Sequence, residues 1–340
     1  MLTIYDLMVQ NQIAGLSLAY IEHGEIRRTE CLGVLEVGTT DYVNEETIFN
    51  ACSISKLLTS ILVLKLVEQG KMDLDEDINR HLLSWKLPES DYTRAKKVTL
   101  RNLLSHQSGI VDSEDSFSPL HSLAQWPSMK DLLQGATPYC HSPIESTLEP
   151  NQEFHYSDAG YCIIQLLIED LTNTPFSSLM GDLIFQPLAM HHSFFSSALP
   201  IAHTASGHHK DGTRTIPSHP LYPYDAACGI WTTPSDLAKL LIDMMQTLRG
   251  KGKLGLTAPT MHELMHTKGC NESVGLGVFY DGQGEQVEIS SLGWGVGYQC
   301  MLVAYPYLEK GFVVMSNLDS GVHQMQGIMG DIYRSFVLSV

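Results

Sequence analysis

Positive charge is scarce in this chain: 21 Lys and Arg stand against 38 Asp and Glu, a net charge of −17 over 340 residues. That balance repels polyanions, so neither nucleic acid nor an anionic membrane surface is expected as a partner. Long apolar runs are missing as well. No stretch reaches the roughly 18 uninterrupted apolar residues of a membrane-spanning helix. The N-terminus, Met1-Leu2-Thr3-Ile4-Tyr5-Asp6, lacks a basic segment followed by an apolar core, and no signal peptide is predicted. Metal-ligand spacing is absent among the seven cysteines (Cys31, Cys52, Cys140, Cys162, Cys228, Cys270, Cys300). Their odd number and mostly apolar neighbours predict free thiols of a reducing cytoplasm, or of an exported chain trimmed of its signal. His203, His208, His209 and His219 are irregularly spaced, with no paired carboxylates nearby. They read as a solvated loop over residues 203–224, and no metal or cofactor is expected.

What is present is a buried-helix pattern headed by Ser53-x-x-Lys56. The run that follows (Leu57, Leu58, Ile61, Leu62, Leu64, Leu66, Val67) is apolar nearly all round, and Gly70 ends it. Residues three apart share a helix face, so an amine is placed one turn from a hydroxyl. Serine is a weak nucleophile until a neighbour takes its proton, and a desolvated lysine can do so. A serine cap followed by a solvated lysine gives the same two letters. The apolar context favours the first reading, because an unpaired buried ammonium is costly.

The remaining pattern is an α+β one. A helix is predicted over residues 2–12, then strands over 15–22 and 25–33 across a His23-Gly24 turn. Strand-like runs return only at 275–281, 287–292, 299–305 and 311–317, before a closing helix at about 322–337. An antiparallel β-sheet built from both chain ends and flanked by helices is therefore expected, with a mostly helical inserted region. Residues 1–50 and 220–340 would form one discontinuous sheet domain and residues 51–219 a helical one. The active site would lie in the cleft between them.

Two more segments supply chemistry. Tyr156 and Asp158 stand just before an apolar helical run at 163–171. A phenol between a lysine and a serine would have a depressed pKa and could shuttle the proton; a buried tyrosine at a helix start capped by Asp158 is the alternative. Ser291 and Gly293 end a strand-like run, and Gly293 would let backbone or substrate approach closely. A glycine-rich hairpin accounts for the same letters.

Ser53-x-x-Lys56, Tyr156-x-Asp158 and Ser291-x-Gly293 together resemble, in order and approximate spacing, the serine β-lactamase and penicillin-binding-protein superfamily. The likeness is greatest to its class C branch with related esterases, D-aminopeptidases and D,D-peptidases. It extends through residues 49–56, 66–75, 98–109, 226–237 and 311–317. The resemblance implies a β-lactamase/transpeptidase-like fold and an acyl-enzyme at Ser53. It makes Lys56 the activating partner, Tyr156 the general base and then acid, and the Ser53 and Trp294 amides an oxyanion hole. Asp158, Ser291 and Gly293 would contact a small-molecule substrate carrying an ester, amide or β-lactam bond, or a short peptide.

Two positions depart from the family pattern. Asp158 replaces the usual Asn and can only accept hydrogen bonds when ionised. Ser291 replaces the usual Lys or His. Both changes remove positive character, so free-carboxylate substrates are expected to fit poorly. A non-catalytic or slowly deacylating penicillin-binding sensor with the same fold is the competing expectation.

Overall fold

The computed structural model describes residues 3–120, 126–266 and 269–338. Its centre is a six-stranded antiparallel sheet, formed by β1 (Gly15–Glu22), β2 (Glu25–Gly33), β6 (Phe279–Asp281), β7 (Glu288–Gly295), β8 (Tyr298–Tyr305) and β9 (Lys310–Ser316). The order is β2-β1-β9-β8-β7-β6, so the N-terminal hairpin adds to the C-terminal meander through β1 against β9. The hairpin turns at His23 and Gly24, both at positive φ (53° and 70°), as its two-residue connection requires.

Alternation along the strands assigns the two faces. Leu16 and Leu18, Met301 and Val303, and Phe312 and Val314 pack with Met8, Ile332 and Phe336 from the terminal helices Ile4–Gln10 and Ile328–Val337. Leu302, Ala304, Val313 and Met315 point into the larger core shared with the helices Ser55–Glu68 and Pro234–Leu248. Covered on both faces, β8 is buried at all eight positions. Among the described residues no helix is long and apolar enough to cross a membrane.

Several elements differ from the sequence expectation. Strands also occur mid-chain: β3 (Phe49–Asn50), β4 (Phe194–Phe195) and β5 (Ile230–Thr232) form a second sheet in the order β3-β5-β4. Strands of two or three residues carry too little alternation to be read. The run at 275–281 is a strand only from Phe279, because residues 273–278 fold into a tight loop. The helix after Tyr156 begins at Asp158, five residues early, and its cap is Ser157 rather than Asp158: the Ser157 hydroxyl accepts the Gly160 N–H. The closing helix starts at Ile328 after a short 3-10 turn, Gln324–Gln326. Residues 203–224 are not uniformly solvated either. Thr204 to His208 are buried, and the His208 ring bridges the Val37 N–H and the Asn317 carbonyl. All seven cysteines are unpaired, and five are buried.

Candidate active site

The short 3-10 turn Cys52–Ile54 precedes the Ser55–Glu68 helix, so Ser53 lies one turn outside the α-helix that the pattern predicts it to begin. Cys52 stands at φ 48°, a left-handed conformation that costs a non-glycine residue about 1–3 kcal/mol. Hydrogen bonds fix it. The Cys52 N–H donates to Asn50 Oδ1 at 2.6 Å, and Ser55 Oγ donates to the Cys52 carbonyl at 2.7 Å. The Ile230 N–H in turn donates to Ser55 Oγ at 3.2 Å, tying the turn to the small sheet.

Strand β7 runs directly behind this turn. A Cβ on Gly293 would lie 2.4 Å from the Ala51 carbonyl oxygen and 2.2 Å from Cys300 Sγ, so only glycine fits. Cys52 packs here against Cys300, with both thiols turned to the Asn50 carbonyl, and burial pushes the Cys52 thiol well above its ordinary value. Trp294 follows Gly293, and its indole N–H donates to Asp319 Oδ1 at 2.7 Å.

Lys56 is 2% exposed, and each of its ammonium hydrogens has an acceptor. Nζ lies 2.6 Å from Asp158 Oδ1, 3.0 Å from the Ala227 carbonyl and 3.3 Å from Ser53 Oγ. Burial is the largest single influence and works against the charge, but Asp158, Tyr156 and Cys228 together overcome it, and the lysine is raised well above its usual range. Lys56 is therefore an ammonium ion, with no lone pair to accept the Ser53 proton. This direction runs opposite to the freed lone pair by which a desolvated lysine would act as base.

Tyr156 completes the group. Its ring lies with its centroid 4.8 Å from Lys56 Nζ and stacks on His106 at 4.3 Å. Burial is the strongest influence on the phenol and raises its pKa. The Lys56 charge and hydrogen bonds with Lys56 and Ser53 pull it down, and Asp158 pushes it up again. The net shift is upward, opposite to the depressed phenol expected from the sequence. The residue as a whole is 43% exposed, because its ring faces an open cleft. The crowding by Lys56, Asp158 and His106 nevertheless sets the environment of its oxygen.

Two residues give no signal in the motifs. His106 is buried, and burial together with Lys56 keeps its pKa well below the ordinary imidazole value. Its Nδ1 accepts the Ser157 N–H at 3.1 Å, so the neutral ring carries its proton on Nε2. Asp112 accepts from Ser157 Oγ and from the Asp158 N–H, both at 2.6 Å, at the start of the Asp158–Thr172 helix. Burial and the neighbouring Asp158 push it up to about 6. His106 lies within the 98–109 block of the resemblance; Asp112 lies just beyond it and could not be found from the letters.

Two cavities meet at Ser53. The narrower, about 30 Å³, is lined by Lys56, His106, Tyr156 and Ser291 along with apolar side chains. The broader, about 700 Å³, is lined by Asp115, Asp158, Asp319, Trp294 and His141 among others, with no Lys or Arg among its described lining residues. Ser53, Lys56, Tyr156, Asp158, Ser291 and Trp294 thus border one cleft, with Gly293 behind the Ser53 turn.

The chain belongs to the beta-lactamase family, whose sequence model matches residues 3–327. Protein flp of Staphylococcus aureus (strain NCTC 8325 / PS 47) is 25% identical over 237 residues, covering 68% of this chain and 43% of that protein. The chain thus spans less than half the length of this curated relative. Among solved structures, the penicillin binding protein from Bacillus halodurans superposes with a TM-score of 0.77 at 24% identity, covering 99% of this chain and 100% of that one. The D-amino acid amidase from Ochrobactrum anthropi SV3 does so with a TM-score of 0.79 at 21% identity, covering 99% of each. At these identities the solved structures establish the fold.

Proposed function

We propose that this protein is a serine hydrolase of the class C β-lactamase-like branch, forming an acyl-enzyme at Ser53 on neutral or amine-bearing esters and amides. One observation carries the reading. Lys56 Nζ lies 2.6 Å from Asp158 Oδ1 and 3.3 Å from Ser53 Oγ, and the Tyr156 phenol hydrogen-bonds with both Ser53 and Lys56, so amine, phenol and hydroxyl converge on one proton path.

In this mechanism Tyr156, as phenolate, takes the Ser53 proton while Oγ attacks the substrate carbonyl. The Lys56 ammonium stabilises that phenolate without accepting a proton itself. The Ser53 and Trp294 amides receive the developing oxyanion. Tyr156 then returns its proton to the leaving group, and water repeats the sequence on the acyl-enzyme. Because the phenol is raised, populating its phenolate is the cost of acylation. That cost falls by about 1.4 kcal/mol for each unit of rising pH below the phenol's pKa. His106, stacked on the ring, fixes its place.

Three carboxylates in the broad cavity, and Ser291 where the family usually has a cation, support discrimination against free carboxylates. Among the structural neighbours, one is by name a D-amino acid amidase, a precedent on this fold for amide substrates rather than β-lactams. The raised phenol also bears on the competing reading of a slowly deacylating sensor, since Tyr156 would serve both half-reactions.

A fluorophosphonate probe tests the proposal. It should label the native protein and not Ser53→Ala, and Tyr156→Phe should slow labelling by about 10²-fold or more. Equal labelling of Ser53→Ala would end the hydrolase reading. Esters that acylate Ser53 with no product turnover would select the sensor instead.

A further inference from the structure

Ser53 borders two cavities of very unequal size, and the proton path decides which part of a substrate each receives. The departing group must take its proton from Tyr156. Tyr156 lines the narrow cavity of about 30 Å³, whereas Trp294 lines the broad one of about 700 Å³. The leaving group therefore belongs on the narrow side and the acyl group on the broad side.

The narrow side is bounded by a fixed wall. The loop at residues 273–280 closes on itself through Gly275 N–H to the Val278 carbonyl and Tyr280 N–H to the Ser273 carbonyl, both at 2.9 Å. It is pinned from behind by Gly277 N–H to the Leu104 carbonyl at 3.0 Å and Leu276 N–H to the Leu264 carbonyl at 2.7 Å. Gly277, at φ 76°, presses so closely on the Ser55–Glu68 helix that a Cβ there would meet Ser60 Oγ at 2.2 Å. Val274 and Val278 are buried and face the niche. A volume of about 30 Å³ admits two or three water-sized groups, since each needs roughly 10–15 Å³.

Beyond the wall lies unused space. Phe279 and Leu292 line the niche and also a separate hollow of about 330 Å³ with Met301, Val303 and Met325. Phe279, 37% exposed on the edge strand β6, stands between the two.

We propose that the 274–279 wall limits this enzyme to leaving groups of the size of ammonia, methanol or ethanol, so that its substrates are primary amides or methyl and ethyl esters of bulky acyl groups. This rests on the reading of Ser53 as nucleophile and Tyr156 as proton donor. For a methyl ester, the new bond joins Ser53 Oγ to the carbonyl carbon and the ester C–O bond breaks. The Ser53 proton, carried by Tyr156, leaves on methanol. Water then cleaves the acyl-enzyme to the free acid and restores the Ser53 hydroxyl.

The test is a series of methyl, ethyl, n-butyl and n-octyl esters of 3-phenylpropanoic acid. The unbranched alcohols have nearly equal acidity, so chain length alone varies. Wild-type kcat/KM should fall about tenfold or more between the ethyl and n-butyl esters, as expected when methylenes are excluded from a tight pocket. Phe279→Ala opens the niche to the hollow and should raise the butyl-to-methyl and octyl-to-methyl ratios of kcat/KM about tenfold, recovering most of that loss. A flat series in the wild type overturns the proposal, as does a Phe279→Ala enzyme with the wild-type butyl-to-methyl ratio. Fluorophosphonate labelling, whose fluoride leaving group is small, separates the two readings. Ser53 labelled without size selection refutes only the wall; Ser53 unlabelled refutes the hydrolase.

Discussion

Replacing Asp158 by Asn probes the charge that governs the site. Asp158 Oδ1 lies 2.6 Å from Lys56 Nζ. Two unit charges at that distance attract by about 6 kcal/mol at an effective dielectric near 20. The Asp158 side chain is 27% exposed, so solvent screens the pair, and about half of that value, roughly 3 kcal/mol, is a fair allowance. Asn keeps an oxygen that accepts from Nζ, so the geometry survives while the negative charge disappears. The sign is fixed by the environment. Asp158 raises the proton affinity of both Lys56 and Tyr156, and without it both release protons more readily. The base form then becomes available at lower pH. The ascending limb of the acylation profile should move toward acid, and acylation near pH 7 should quicken. Second-order fluorophosphonate labelling across pH 6–10 measures this directly, because fluoride needs no proton to depart. A limb that stays within about half a unit of the wild type would refute the argument that Asp158 sets the proton inventory.

Two further outcomes concern other parts of the molecule. Gly293→Ala should drive β7 away from the Ser53 turn, since the new Cβ would meet the Ala51 carbonyl at 2.4 Å. Overpacking of this kind costs about 1–3 kcal/mol, so Tm should drop by several degrees and labelling should slow; an unchanged Tm with full labelling contradicts it. Asp225, whose Oδ1 has no hydrogen-bond partner among the described residues, is pushed up to about 7 by burial and by Glu169. Its protonated form therefore adds stability that is present below about pH 4 and lost as pH rises through about 7. Asp225→Asn removes that loss, so the Tm gap between variant and wild type should widen from pH 4 to 7.5. A gap independent of pH would sink the assignment.

Much of this arrangement was legible before the structure, and the parts that were not share a cause. The strands at 15–22 and 25–33 match β1 and β2 because period-2 alternation and a His-Gly turn are local signals. The fold was legible through the motif order at Ser53, Tyr156 and Ser291. Protonation states were not. The phenol was expected to be depressed because a lysine stands beside it, yet the structure adds a carboxylate on the far side of that lysine and a buried ring against the phenol. Lys56 cannot serve two masters: an ammonium spent on Asp158 has less field left for Tyr156. Asp158 appears in the sequence as one altered letter, and only its distance to Nζ reveals that it converts a possible base into a fixed cation. Residues 275–281 read as strand because their letters are apolar and small, yet the strand begins only at Phe279. What makes the 274–279 segment a wall is Gly277 against Ser60, a contact between residues 217 positions apart. Local pattern specifies which residues stand near a site, while proton affinity and pocket size are set by long-range neighbours. A family resemblance therefore predicts the chemistry of this cleft more readily than its pH dependence or its choice of leaving group.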